Sequence, residues 1–276
     1  MVFFPNCKIN LGLNITEKRV DGYHNIETVF YPVYLNDVLE VVTLNQSNSN
    51  ESLPIDFSSS GISIPGDTAN NLSLKAFQLL KKDFPNIPPI QMHLHKIIPM
   101  GAGLGGGSSD GAFTLKLLNE KYQLNLSQKQ LIDYAAELGS DCPFFIINQP
   151  CYATGRGEIL TPISLDLSAY KFVLVHPSIH INTKWAFEQL TLSKPSISIN
   201  KIIDQPIETW KELLVNDFEA PFTKQYPIIG EVKNTLYQNG AIYASMSGSG
   251  STVFGIFSPN QTSELKTKFN LPIHIV

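Results

Sequence analysis

The run Pro99-Met100-Gly101-Ala102-Gly103-Leu104-Gly105-Gly106-Gly107-Ser108-Ser109 constrains this chain more than any other segment. Glycines let a backbone reach positive φ and approach a ligand closely, so successive N–H groups can converge on one anion. Residues 91–97 before the run alternate like a strand, which stops at Pro99. Ser108-Ser109-Asp110 opens a helix with Ala112, Leu115 and Leu118 among its apolar positions. This order sets the uncompensated amides of a helix start beside the glycines, which suits a phosphate chain, and Gly106 is expected to leave room for it. Two familiar patterns do not fit. Gly101-x-Gly103-x-x-Gly106 has the spacing of a dinucleotide fingerprint, but a second helix over 127–138 stands where that fold needs a strand ending in an acidic ribose ligand. No Lys-Ser or Lys-Thr follows the glycines, so the Walker pattern fails as well.

The remaining pattern is mixed. Residues 3–15, 26–34 and 38–44 are rich in Val, Ile, Phe and Tyr and predict strands, with Asn36-Asp37 as a hairpin turn between the last two. Residues 45–60, crowded with Ser and Asn, predict a loop beside a short strand at 55–57. A helix starts after Asn70-Asn71, with Leu72, Ala76, Leu79 and Leu80 on one face. Gly139-Ser140-Asp141-Cys142-Pro143-Phe144-Phe145 places an acid at a helix-to-strand junction. Polar turn residues over 161–168 mark a crossing into a second lobe, opened by a strand at 170–176. Helices follow near 183–190, 210–214 and 228–236, and strands at 241–246 and 252–257 bracket Ser247-Gly248-Ser249-Gly250-Ser251. The expected fold class is α+β, with two lobes, 1–160 and 161–276, and a cleft between them.

Composition removes several function classes. The chain sets 20 basic against 24 acidic residues without a basic tract, which argues against a broad nucleic-acid surface. No apolar stretch approaches the roughly 20 residues of a membrane span, and the N-terminus has no secretory pattern. The 3 cysteines, Cys7, Cys142 and Cys151, form no CxxC pair, so neither a disulfide framework nor a zinc site is expected. His93 and His95 share a strand face but lack a third evident ligand, so no metal site is expected either. A cytoplasmic protein is the default.

Three further segments carry chemistry. Lys8-Ile9-Asn10-Leu11 sets a Lys and an Asn on one side of an apolar strand. Asp141 is an acid in a turn-like setting, and Asp21-Gly22-Tyr23-His24 offers a ring and an imidazole after a turn. Taken singly, each also reads as ordinary structure: a snorkelling Lys, turn chemistry, a structural Tyr beside a surface His. Together and in order, with the glycine–serine run and the terminal Ser-Gly segment, they resemble the GHMP kinase superfamily along nearly the whole chain. The resemblance is strongest to a branch that phosphorylates a hydroxyl of a diphosphocytidyl-linked methylerythritol in isoprenoid precursor synthesis.

The resemblance implies a GHMP kinase fold with its active site in the cleft, ATP as co-substrate with Mg2+, and a small cytidyl substrate. It implies that Asp141 accepts the hydroxyl proton. It assigns to Lys8 a field that stabilises negative charge and keeps Asp141 ionised. Asn10 would orient the polyol hydroxyls, Pro99 to Ser109 would hold ATP, and Tyr23, His24, Thr183 and Phe187 would bind the cytidyl end. Ser108 and Ser109 are the candidates to touch the metal, and no protein ligand is assigned. Two alternatives stay open: another GHMP small-molecule kinase of homoserine or mevalonate type, and a nucleotide-binding regulator without transfer activity.

Overall fold

The computed structural model describes residues 1–44, 54–179, 181, 183–188, 190, 197–261 and 265–276. Expectations for 45–53, for residue 189 and for the side chain of Thr183 lie outside the described residues. In chain order the elements begin with β1 (Val2–Phe3), β2 (Asn6–Lys18), β3 (His24–Asn36), β4 (Val38–Thr43), β5 (Ile55–Gly61), α1 (Leu72–Asp83), β6 (Ile90–Lys96), α2 (Gly106–Lys121), α3 (Gln128–Leu138) and α4 (Cys142–Ile147). They continue with β7 (Cys151–Thr154), β8 (Ile159–Pro162), β9 (Lys171–Val175), α5 (Thr183–Glu188), α6 (Ile199–Ile203), α7 (Trp210–Leu213), α8 (Glu219–Gln225), α9 (Pro227–Gln238), β10 (Tyr243–Met246), β11 (Val253–Phe257) and β12 (Ile273–Ile275).

Two compact units are built from these elements, and each is discontinuous in sequence. The first comprises 1–7, 35–100 and 105–148; the second comprises 8–34, 101–104 and 149–276. This is a different division from 1–160 and 161–276, which follows order along the chain.

The first unit carries one sheet in the order β1-β4-β6-β5, antiparallel except for the β5–β6 pair. Its helices start where the sequence says they should. Asn71 caps α1 by accepting from the Ser73 amide, and Ser127 and Gln130 form a reciprocal capping box at α3. Helix α2 packs against α1, α3 and α4. Two expectations fail in this unit. Asn36-Asp37 is no hairpin turn, because β3 and β4 belong to different sheets. Asp37 is fully buried and accepts hydrogen bonds from the Ile97 and Ile98 amides at 2.5 and 2.9 Å. The apolar run after Asp141 is the helix α4 rather than a strand, with Pro143 in its first turn, where its missing N–H costs nothing.

The second unit holds two sheets, β2-β3-β7-β8 and β10-β11-β9-β12. The hairpin β7–β8, turned by 155–158, and the helices α6 and α8 were not expected from periodicity. Helix α9 packs on β10 and β11, its buried Leu236 sharing a core with Phe218, Phe222, Val253 and Phe257.

Candidate active site

Strand β2 alternates polar and apolar residues, as a half-solvated strand would, yet it is buried on both faces. Cys7, Ile9, Leu11, Leu13 and Ile15 form the apolar face, while Asn6, Lys8, Asn10 and Asn14 are no more than 4% exposed. A buried polar face must find internal partners, because each one left unmade costs about 1–3 kcal/mol. Lys8 Nζ donates to Asn10 Oδ1 at 2.5 Å and lies 4.8 Å from the centre of the Phe30 ring. Asn10 Nδ2 donates to Thr28 Oγ1 at 3.0 Å, and that hydroxyl donates to the Gly12 carbonyl at 2.5 Å. The same-face placement of Lys8 and Asn10 is thus realised as a direct contact.

The glycine loop is held differently in its two parts. Gly101, Gly103 and Gly105 all have positive φ, while Ala102 and Leu104 between them are buried and anchor it. Within the second unit, Lys8 N donates to Leu104 O at 3.0 Å, Thr252 N to Ala102 O at 3.1 Å, and Ser247 Oγ to Gly103 O at 2.7 Å. A Cβ on Gly103 would lie 1.9 Å from the Ser247 carbonyl oxygen, so only glycine fits there. In the first unit Gly106 faces protein rather than open space. A Cβ there would meet Ile98 Cγ2 at 2.8 Å and Lys96 Nζ at 3.4 Å, so packing already requires this glycine. Gly107 has the room expected of Gly106, its nearest neighbour being Met100 Cε at 3.9 Å. Of the serines that follow, Ser108 hydrogen-bonds the Cys142 thiol, and the buried Ser109 Oγ has no hydrogen-bond partner.

Beneath the start of α2 lies a charged cluster that no motif announced. Lys96 Nζ, fully buried, donates to Asp37 Oδ2 and, at 2.6 Å, to Asp110 Oδ2. Burial raises the Asp110 carboxyl to about 8; Lys96 opposes that shift and Asp37 reinforces it. Asp141 occupies the N-cap of α4 without hydrogen-bonding the first amides of that helix. Next to it, burial pushes the Cys142 thiol up to about 12, so it is a packing group and no nucleophile.

A second missed group belongs to the second unit. Asn216 Nδ2 donates to Met246 O at 2.7 Å and to Gly248 O at 2.8 Å, and its Oδ1 accepts from Phe218 N at 3.0 Å. Asp217 accepts from Ile15 N at 2.7 Å, while Glu219 accepts from Met246 N at 2.5 Å and Ser245 Oγ at 2.9 Å. Residues 216–219 therefore tie strand β2 to the start of the Ser-Gly loop. Ser247 Oγ in turn accepts from the Asn10 amide at 3.3 Å. No local pattern marks the ties to β2 and the Ser-Gly loop, since those partners lie about thirty or two hundred positions away.

The aromatic residues also gather in the second unit. His24 stacks on Phe187 with ring centres 4.7 Å apart and 16° between planes, and burial, then Lys18, lowers its pKa. Tyr23 is exposed, with the Arg156 guanidinium 4.9 Å from its ring centre. Phe187 thus meets His24 directly. Arg156, from the 155–158 turn, joins Tyr23 without having been expected. His93 and His95 bond Ser58 and Ser60 across β5 and β6. Among the described residues no three His, Cys, Asp or Glu side chains form a metal-binding group.

The model for the GHMP kinases N terminal domain matches residues 71–149, and that for GHMP kinases C terminal matches 199–271. The chain belongs to the GHMP kinases. Within that family it is 52% identical over 261 residues to the 4-diphosphocytidyl-2-C-methyl-D-erythritol kinase of Bacteroides fragilis, covering 95% of this chain and 93% of the relative. The protein of the same name from Bacteroides thetaiotaomicron is 53% identical over 262 residues, covering 95% and 94%. Among solved structures, a 4-(cytidine 5'-diphospho)-2C-methyl-D-erythritol kinase superposes with a TM-score of 0.84 at 28% identity, over 100% of this chain and 98% of that one. The mevalonate kinase of Methanococcus jannaschii shares the GHMP kinase fold, with a TM-score of 0.73 at 16% identity, over 100% and 97% of the two chains. No helix among the described residues is long and apolar enough to cross a membrane.

Proposed function

We propose that this GHMP kinase transfers the γ-phosphoryl group of ATP to the 2-hydroxyl of 4-diphosphocytidyl-2-C-methyl-D-erythritol, in the supply of isoprenoid precursors. The observation that carries the reading is identity of about half the residues along 95% of the chain with relatives that bear this name. ATP is the co-substrate.

In the mechanism we propose, Asp141 takes the proton of the attacking hydroxyl as its oxygen bonds to the γ-phosphorus. The bond from that phosphorus to the bridging oxygen breaks, and ADP leaves. Lys8 offsets the negative charge spread over the transferring group, and Asn10, which holds the Lys8 ammonium, orients the polyol. Residues 99–109 seat the phosphates, supported by the run of positive-φ glycines and the start of a long helix. Tyr23, His24 and Phe187, and Thr183 on the same helix as Phe187, take the cytidyl end. Two stacked rings and an exposed third suit a flat base. Magnesium would arrive with ATP and neutralise phosphate charge. The orphaned Ser109 hydroxyl fits such an ion, whose other ligands would be phosphate oxygens and water. A cytoplasmic location accords with ATP as the phosphoryl source.

ADP release tests the reading, with the diphosphocytidyl substrate run beside its uridyl analogue, homoserine and mevalonate. The cytidyl substrate should be used far better than the other three. Asp141→Asn should lower turnover by roughly 10²–10⁴ with little change in substrate binding. Equal turnover of the uridyl analogue would remove the cytidine reading. Near-normal turnover of Asp141→Asn would remove Asp141 as base.

A further inference from the structure

We propose that Arg156 is a positioning residue for the cytidyl substrate: its guanidinium lies on the Tyr23 ring and holds that ring ready to stack against the base. The proposal rests on the reading of Tyr23 as a wall of the cytidyl end, and adds to it a residue from a distant turn.

Tyr23 is held firmly by its backbone and lightly by its ring. Its amide donates to Asp21 Oδ1 at 3.1 Å, and its carbonyl accepts the Arg19 amide at 2.8 Å. The residue is nonetheless 55% exposed. A surface ring anchored only through its backbone turns among rotamers, and a base that stacks on it must first arrest that motion. Arg156 supplies the missing support. Its guanidinium carbon sits 4.9 Å from the ring centre, within the range of a cation–π contact. The chain has only two arginines among its 20 basic residues, and the other, Arg19, is engaged with Asp21 at 2.8 Å. One face of the Tyr23 ring is thus covered by a cation, and its exposure leaves room for a flat base on the other.

Arg156 is itself fixed by the turn that carries it. Residues 155–158 join β7 to β8, with Gly155 and Gly157 both at positive φ. The turn is tied to β3, because the Ile26 amide, two residues past His24, donates to the Gly155 carbonyl at 2.7 Å. Gly157 packs on the same strand: a Cβ there would stand 3.4 Å from Phe30 Cζ and 3.5 Å from Ile26 Cδ1. Glu158 closes the turn, accepting the Arg156 amide at 2.5 Å and pairing with its Nε at 3.6 Å. Arg156 therefore projects from an anchored base rather than from a loose loop. His24, the next residue after Tyr23, is backed in the same way by Phe187, with ring centres 4.7 Å apart. Two consecutive rings thus each lean on a side chain from a distant segment. A planar, weakly hydrated guanidinium stacks on a ring better than an ammonium does, which suits arginine to this position.

The test is the Michaelis constant for the cytidyl substrate, with turnover and the ATP constant measured alongside. Arg156→Met keeps an unbranched stem against the ring and removes the cation. The cytidyl constant should then rise about two- to fivefold, while turnover and the ATP constant hold. Arg156→Lys, which keeps a cation, should recover part of that loss. Tyr23→Ala removes the ring and should raise the constant roughly five- to 150-fold. Because Arg156 acts through Tyr23, adding Arg156→Met to Tyr23→Ala should cost nothing more. Losses that multiply in the double variant overturn the proposal, since Arg156 would then act on the substrate directly, through its diphosphate. A lysine variant no better than the methionine one overturns it too, as does a rise in the ATP constant to match the cytidyl one. Two outcomes separate the proposal from the reading beneath it. If Tyr23→Ala leaves the cytidyl constant unchanged, Tyr23 is no wall and both fail. If Tyr23→Ala raises it while Arg156→Met does not, only the role of Arg156 is lost.

Discussion

The first unit buries its polar network as charge, in Asp37, Lys96 and Asp110, whereas the second builds its own around Asn216 from an amide, backbone carbonyls and backbone N–H groups. Both brace a loop: the charged cluster holds the ends of the glycine run, and Asn216 holds the Ser-Gly turn at Met246 and Gly248. They differ in what perturbs them. A buried ion cluster is worth little net until one member is removed, when an uncompensated charge remains. Asn216 itself has no charge to strand, and its loss costs only unmade hydrogen bonds.

The largest effect should come from Lys96→Met, which leaves two carboxyl groups facing one another with no cation. A loss of about 3–5 kcal/mol in denaturant unfolding near neutral pH is expected. Acid should relieve it by protonating both acids. A loss below about 1 kcal/mol, or one indifferent to pH, would erase the distinction between the two networks. Asn216→Ala should rank second, at about 1–3 kcal/mol, because the Met246 and Gly248 carbonyls and the Phe218 amide lose their partner. That loss should be the same at pH 6 and pH 8. A cost that changed with pH would show that Asp217 or Glu219 carries the network instead.

The two networks also mark where sequence reading stops. The strand alternation that placed Lys8 and Asn10 together is local, and so are the helix start at Ser127 and the Asn71 cap; each was legible and each is present. Asp37 was misread because an Asn-Asp pair between two strands has the chemistry of a turn, and only the crossing into another sheet gives it a buried role. The run Pro143 to Ile147 is too short for periodicity to separate helix from strand, although a proline just after an acid was the available signal for a helix start. Asn216 had no signal at all. Its carbonyl partners lie thirty positions on, and an isolated Asn before Asp has many uses. The Asp37–Lys96–Asp110 cluster is equally non-local, joining a strand end, a strand junction and a helix.

The smallest predicted effect sharpens the comparison most, because both units contain a carboxyl group whose pKa burial raises. Asp217, half-buried, is raised by desolvation, and only the Ile15 amide pulls it back. Asp110 is raised to about 8 in the company of a second acid and an ammonium. A carboxyl raised on folding contributes stability that is fully present below its unfolded pKa and lost as pH rises through the folded one. For Asp217 that loss begins at the ordinary carboxylate value, and for Asp110 it extends to about pH 8. Asp217→Asn keeps an oxygen for the Ile15 N–H, so its stability at pH 7 should stay within roughly 0.5 kcal/mol of the original. Unfolding measured from pH 4 to pH 9 should show the two proteins diverging as pH rises from the ordinary carboxylate range. Asp110→Asn should diverge from the original up to about pH 8. If Asp217→Asn also altered the slope between pH 7 and 8, the second network would titrate in the same range as the first, and the contrast between a charged brace and a neutral one would fail.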